Sequence, residues 1–164
     1  MTLKEIAALI QARPDLAERF ATMAAEPVTV ETCLTATAAA TILGPMLMGR
    51  AYEALAVIAL DRRGRAIASE VLTSGGSDGL AIVDPRRIFR WALTQGKSGA
   101  NSIILAHNHP SGDISPSPQD IDVTKRVGSA GRILGINLVD HLIIGDTNTG
   151  YAYRSFAENG YPLG

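Results

Sequence analysis

Residues 102–120 read Ser-Ile-Ile-Leu-Ala-His-Asn-His-Pro-Ser-Gly-Asp-Ile-Ser-Pro-Ser-Pro-Gln-Asp and carry, in order, a strand, a polar loop and the start of a helix. Ser102–Ala106 is a short apolar run that leads straight into His107. Side chains two apart on a strand leave it on the same side, so His107 and His109 share a face. Pro110 lacks an N–H for the ladder and discourages the strand from continuing. Ser117, followed by Pro118 and three residues later by Asp120, has the pattern of a capping box with proline at the first helical position. A plain connection between strand and helix needs only about 2–6 residues. The Pro/Ser/Gly-rich stretch at 110–116 is longer than that.

This arrangement suits a metal. Neutral imidazole is the commonest metal ligand, and a shared strand face lets two of them converge on one ion. Asp120, in the first turn of its helix, sits where a carboxylate is favoured by exposed N–H groups and can be a third, anionic ligand. Two histidines and a carboxylate leave a fourth tetrahedral corner for water, the mark of a catalytic site, and a general base must still handle the proton. A structural reading stands beside this one, because the capping box already employs Ser117 and Asp120, and His-x-His is a short motif. By chemistry alone, Glu53, Glu70 and Asp113 are equivalent candidates for the base. The letters His-Asn-His also spell the name of a nuclease class, but those enzymes draw their residues from a longer ββα element.

Working outward, helices and strands alternate. Ala54–Leu60 is a continuous apolar run suited to a central strand, Asp61–Gly64 is a turn, and Arg65–Thr73 is the partner strand. A Gly/Ser/Asp loop over Ser74–Gly79 precedes a helix opened by Asp84-Pro85 and carrying Ile88, Phe89, Trp91 and Leu93. The helix from Ser117 ends at Gly135. Ile136–Ile144, containing Asp140-His141, and Tyr151–Phe156 complete the strands. The first fifty residues read as helical packing material. Thr2 and Glu5 cap a first helix, Pro14 opens a second that Pro27 ends, and Thr35–Met48 forms a third, interrupted near Gly44-Pro45. The expected organisation is a helical segment, 1–50, packed on or preceding an α/β domain, 51–164, in which a mixed sheet is flanked by helices.

Composition narrows the function. The chain has 164 residues, 46% hydrophobic and 19% charged, with a net charge of −1, which is a globular balance without the basic excess of a dedicated nucleic-acid binder. Its one cysteine, Cys33, permits no internal disulfide and no multi-cysteine zinc site, and reads as a buried structural thiol. Charges scattered through residues 1–25 exclude a signal h-region or a membrane span there, so no membrane association and a cytoplasmic location are expected. Arg62, Arg63 and Arg65, and Arg86, Arg87 and Arg90, read as solvated surface. Trp91 and Phe89 read as core. His141 reads as a hydrogen-bonded strand histidine beside Asp140, with a role as an alternative ligand or a supporting partner near a metal as the other reading. Ser111 and Asp113 read as turn and loop residues.

His-x-His, seven intervening residues, then Ser-x-x-Asp resembles the signature of the JAMM (MPN+) metalloproteases. The longer string His107-Asn-His-Pro-Ser-Gly-Asp, with Pro116-Ser117 and Asp120, resembles the RadC-like branch of that superfamily. Glu53 before the strand ending Leu60-Asp61, Pro85-Arg86, and Asp140-His141-Leu142-Ile143 agree with it. The likeness covers about Glu53 to Phe156.

The resemblance implies a cytidine-deaminase-like α-β-α sandwich of the JAMM/MPN type. It implies Zn2+ bound by His107, His109 and Asp120, Glu53 as general base and Ser117 as a donor to the oxyanion. Glu53 is chosen over Glu70 and Asp113 on this resemblance alone. The implied activity is hydrolysis of an amide bond in a peptide or protein substrate, as a peptidase or isopeptidase. The alternatives are a DNA-repair-associated or nuclease-like protein and a catalytically silent interaction module. The near-neutral charge and the lack of a Gly-x-Gly hairpin turn in the first fifty residues weigh against nucleic acid. The complete ligand set weighs against a silent module. Arg87, where family members often carry an acid, and the Gly-rich loop after Ser74 depart from the family pattern.

Overall fold

A computed structural model describes Cys33, residues 35–74 and residues 83–164. The two helices expected before Pro27 and the Gly-rich stretch after Ser74 lie outside the described residues. Residues Thr32–Gly164 form one compact unit.

Helix α1, Ala36–Leu47, starts where the Thr35 side chain accepts from the Ala38 N–H at 3.2 Å. The interruption expected at Gly44-Pro45 does not occur. Pro45 lies inside the helix, forfeiting its own ladder bond, and the ladder resumes beyond it, with Met48 N–H reaching the Gly44 carbonyl at 2.9 Å. Strand β1, Ala54–Leu60, is buried throughout and pairs antiparallel with β2, Ala66–Ser74. Asp61 ties their turn by accepting from the N–H groups of Arg63 and Arg65 at 2.8 and 3.0 Å. Helix α2, Pro85–Leu93, is capped by Asp84, which accepts from Arg86 N–H at 2.9 Å.

Strand β3, Ser102–His109, runs three residues past the expected end at Ala106. It lies between two partners that both continue, with His107 opposite Leu55 on one side and His109 opposite Gly145 on the other, so its ladder is filled until Pro110 stops it. Helix α3, Pro118–Leu134, opens with the expected capping box and closes at Gly135, whose φ of 71° is the left-handed geometry of a helix stop. β4, Asn137–Thr147, and β5, Gly150–Ser155, follow.

The five strands lie in the order β2-β1-β3-β4-β5, with β3 and β4 parallel and the other neighbours antiparallel. Alternation splits the core into two layers. Ala54, Ala56, Ile58, Ile104, Ala106 and Leu142 meet Ala39, Leu43 and Leu47 of α1. Leu55, Val57, Ile103 and Leu105 face the other way, onto Ile88 and Phe89 of α2 and Val123 and Val127 of α3. The result is the mixed α/β sandwich that the sequence implies. No helix among the described residues is long and apolar enough to cross a membrane. Because β1 and β3 are antiparallel, the C-terminal end of β3, with its histidines, lies beside the start of β1, just after Glu53.

Candidate metal centre

His107 and His109 leave β3 on the face covered by α2 and α3, and α3 directs its first-turn carboxylate back at them. His107 Nε2 lies 3.0 Å from His109 Nε2 and 3.2 Å from Asp120 Oδ1, and His109 Nε2 lies 3.4 Å from Asp120 Oδ2. Among the described residues, these three form the one group of potential ligands whose atoms all fall within 4.8 Å of one another. His107 is fully buried, Asp120 nearly so and His109 partly.

Each side chain is held from behind. His109 Nδ1 donates to the Asp113 carbonyl at 2.7 Å, so in the neutral ring the Nε2 lone pair faces its neighbours. Asp113 therefore acts through its backbone, while its carboxylate serves the loop by accepting from Ser115 N–H at 2.8 Å. Asp120 Oδ2 accepts from Ser117 N–H at 2.7 Å, and Ser117 Oγ accepts from Asp120 N–H at 3.1 Å. The capping box of the structural reading is thus present, and it aims the carboxylate at the imidazoles.

Burial would raise the Asp120 carboxyl, but its contacts with His107, His109 and Ser117 prevail and hold it far below the usual carboxylate range. Burial pushes the His107 imidazole down, against the pull of Asp120. The hydrogen bond with Asp120 holds His109 above its ordinary value despite partial burial. An ionised carboxylate thus faces one neutral ring and one that readily takes a cation's charge.

Glu53 precedes β1. Continuing by two residues the register that pairs Leu55 with His107 sets it opposite His109, and its charge acts on both imidazoles. Glu70 lies exposed on β2, opposite Val57. Ser117 is adjacent through its cap. The arginines at 62, 63, 65, 86, 87 and 90 are exposed, with Arg65 and Arg86 paired to Asp61 and Asp84 at 2.7 and 2.8 Å. Phe89 is in the core with Trp91 packed against it, and Cys33 is buried and free.

Three residues have roles that sequence reasoning missed or undervalued. Asn108, between the histidines, points to the opposite side. Its Oδ1 accepts from Ala54 N–H at 2.9 Å and its Nδ2 donates to the Tyr52 carbonyl at 3.1 Å, gripping the backbone on both sides of Glu53. His141 is fully buried, with Nε2 at 2.9 Å from His107 Nδ1 and Nδ1 at 2.6 Å from Thr124 Oγ1. The one available signal for Thr124 is its place one helical turn after Asp120 on the same face.

A profile described as the RadC-like JAB domain matches residues 33–161. A UPF0758 protein of Staphylococcus carnosus is 43% identical over 115 residues, covering 70% of this chain and 47% of the relative. One from a Geobacillus strain is 54% identical over 86 residues, 52% of this chain and 35% of the relative. One from Trichormus variabilis is 39% identical over 132 residues, 77% and 51%. The chain spans about half or less of the length of these curated relatives.

Proposed function

Since the chain belongs to the RadC-like JAB domain family, we propose that it is a metal-dependent hydrolase of amide bonds in peptide or isopeptide linkages, with zinc held by His107, His109 and Asp120. The observation that carries this reading is the spacing of the three facing atoms. Tetrahedral zinc with bonds of about 2.0–2.1 Å separates its ligand atoms by about 3.3 Å. The separations of 3.0, 3.2 and 3.4 Å bracket that value, and two imidazoles with one carboxylate are a common catalytic zinc set. Bound there, the ion supplies Lewis-acid polarisation of a carbonyl and acidifies a coordinated water.

The chain's own groups do the rest. Glu53, across the strand gap from His109, takes a proton from the attacking water and returns it to the departing nitrogen. The Ser117 oxygen is engaged by Asp120 N–H, which leaves its hydroxyl proton to meet the carbonyl oxygen as charge develops on it. Burial of His107 and Asp120 keeps bulk water from weakening these electrostatic contacts.

The test is metal content followed by cleavage. The purified chain carries about one zinc, and His107→Ala or Asp120→Ala reduces it to background. Incubated with a proteome-derived peptide library and read by mass spectrometry, Glu53→Gln retains zinc but cleaves at least about 100-fold more slowly than wild type. Zinc-free wild type overturns the reading, as does zinc-dependent cleavage of nucleic acid in place of peptides. Unimpaired cleavage by Glu53→Gln removes Glu53 as the base.

A further inference from the structure

Behind the three facing atoms runs a buried hydrogen-bond chain whose proton positions follow from one fixed end. Thr124 Oγ1 lies 2.6 Å from the Asp120 carbonyl oxygen. A carbonyl can only accept, so the single hydroxyl proton is committed there. Toward His141 Nδ1, at 2.6 Å, the same oxygen must then accept, and His141 carries its proton on Nδ1. Thr124 and His141 are both fully buried, the ring nitrogens of His141 meet His107 and Thr124, and the Asp140 carboxylate accepts from Ser155 Oγ, Ala157 N–H and the His141 main-chain N–H. An imidazolium there would lack a counter-charge in contact, so the ring is neutral and its Nε2 is an acceptor. His107 Nδ1, at 2.9 Å, must donate to it. That leaves the His107 Nε2 lone pair toward His109 and Asp120.

We infer that Thr124 and His141 are positioning residues that lock His107 in its Nδ1–H tautomer and so present Nε2 to a divalent cation. The inference deepens the metal reading proposed above and rests on it. The chain also begins and ends beside the same residue. It leaves the main chain of Asp120 and passes through Thr124 and His141 to His107, whose Nε2 lone pair then stands 3.2 Å from the Asp120 carboxylate with no proton between them, a gap that a cation would bridge. One helix turn and one strand neighbour thereby fix two of the three ligands relative to each other. Outer partners of this kind change metal affinity by about 10–100-fold when removed. Stacking of Phe156 on His141, with ring centres 5.0 Å apart, keeps the intermediate ring from turning.

Long-range proton–nitrogen NMR of the full chain, with and without zinc, reads the tautomers directly, and competition with a chromogenic chelator reads zinc affinity. In wild type, His107 and His141 both carry the proton on Nδ1 before zinc is added. Thr124→Val, which keeps the shape and removes the acceptor, gives mixed His107 and His141 tautomers and binds zinc about 10–100-fold more weakly. Thr124→Ser restores both readouts. Wild-type zinc affinity with unchanged tautomers in Thr124→Val overturns the inference and leaves the metal site standing. Nε2–H on either ring in the zinc-free wild type overturns it too, and needs no variant to fold. A wild type that takes up no zinc overturns the metal reading, and this inference with it.

Discussion

Asn108 shows how much one side chain between two candidate ligands can carry. Successive strand residues point to opposite faces, so Asn108, between two histidines that face the candidate metal centre, turns away from it and toward the backbone of β1. There it makes bonds of 2.9 and 3.1 Å around Glu53, and it is almost fully buried. Asn108→Ala removes both bonds without touching a ligand. The expected result is zinc content equal to wild type, a stability loss of about 1–3 kcal/mol from the unpaired Ala54 N–H and Tyr52 carbonyl, and kcat on a cleaved peptide reduced by up to about 100-fold as Glu53 loses its register. Zinc analysis, urea unfolding and peptide cleavage check the three parts separately. A variant that loses zinc along with activity would show instead that Asn108 supports the ligands. The convergence of the histidines and Asp120 was legible in the sequence because it depends on local spacing along one strand and one helix turn. Asn108 was not, because its partners lie more than fifty residues away and are backbone atoms, which leave no pattern in side-chain identity.

At the level of elements, the loop from β3 to α3 is held by β4 and β5 as well as by its own turns. A Cβ on Gly145 would stand 2.3 Å from the Gly112 carbonyl oxygen and 2.7 Å from Ile114 Cγ2, so β4 admits the loop only because it has no side chain there. Gly112 itself turns with a φ of 78°, and Arg154 Nε of β5 donates to the Ile114 carbonyl at 3.0 Å. The Asp113 carbonyl that orients His109 lies between these two anchors. Gly145→Ala is therefore expected to lift the loop, lower stability by about 1–3 kcal/mol in urea unfolding, and weaken zinc binding about 10-fold through the slackened His109. A stability loss with unaltered zinc affinity would separate the loop from the ligand. The strands and helices were legible from apolar runs and caps, since those signals are local. β3 runs on from Ala106 through His109 because neighbouring strands fill its ladder, until Pro110 ends it, and α1 runs unbroken through Gly44-Pro45 against the local signal.

For the whole molecule, the question is whether the fold depends on the metal. Strand order β2-β1-β3-β4-β5 could not be read from the chain, because pairing depends on which apolar faces find each other. Once formed, it gives two apolar core layers, one on each face of the sheet. The candidate metal centre occupies one end of this sandwich. Only Asp120 and the histidines would change partners if the ion left, and their hydrogen bonds to Ser117, Asp113 and His141 would persist. A small zinc-stapled domain unfolds when chelated, whereas this one buries enough apolar surface to stay folded. Chelator-treated protein is therefore expected to keep its far-ultraviolet circular dichroism and a single cooperative melt. Binding adds stability by mass action, about 4 kcal/mol when free zinc is 1,000-fold above Kd. For a chain of this size, that raises Tm by roughly 10 °C. His107→Ala melts lower than wild type because it leaves a cavity at a fully buried position, but its Tm does not respond to zinc. Calorimetry of both proteins with chelator and with excess zinc separates the two effects. Loss of the cooperative melt in chelator would make the ion structural, and an unresponsive wild type would remove it from the protein altogether.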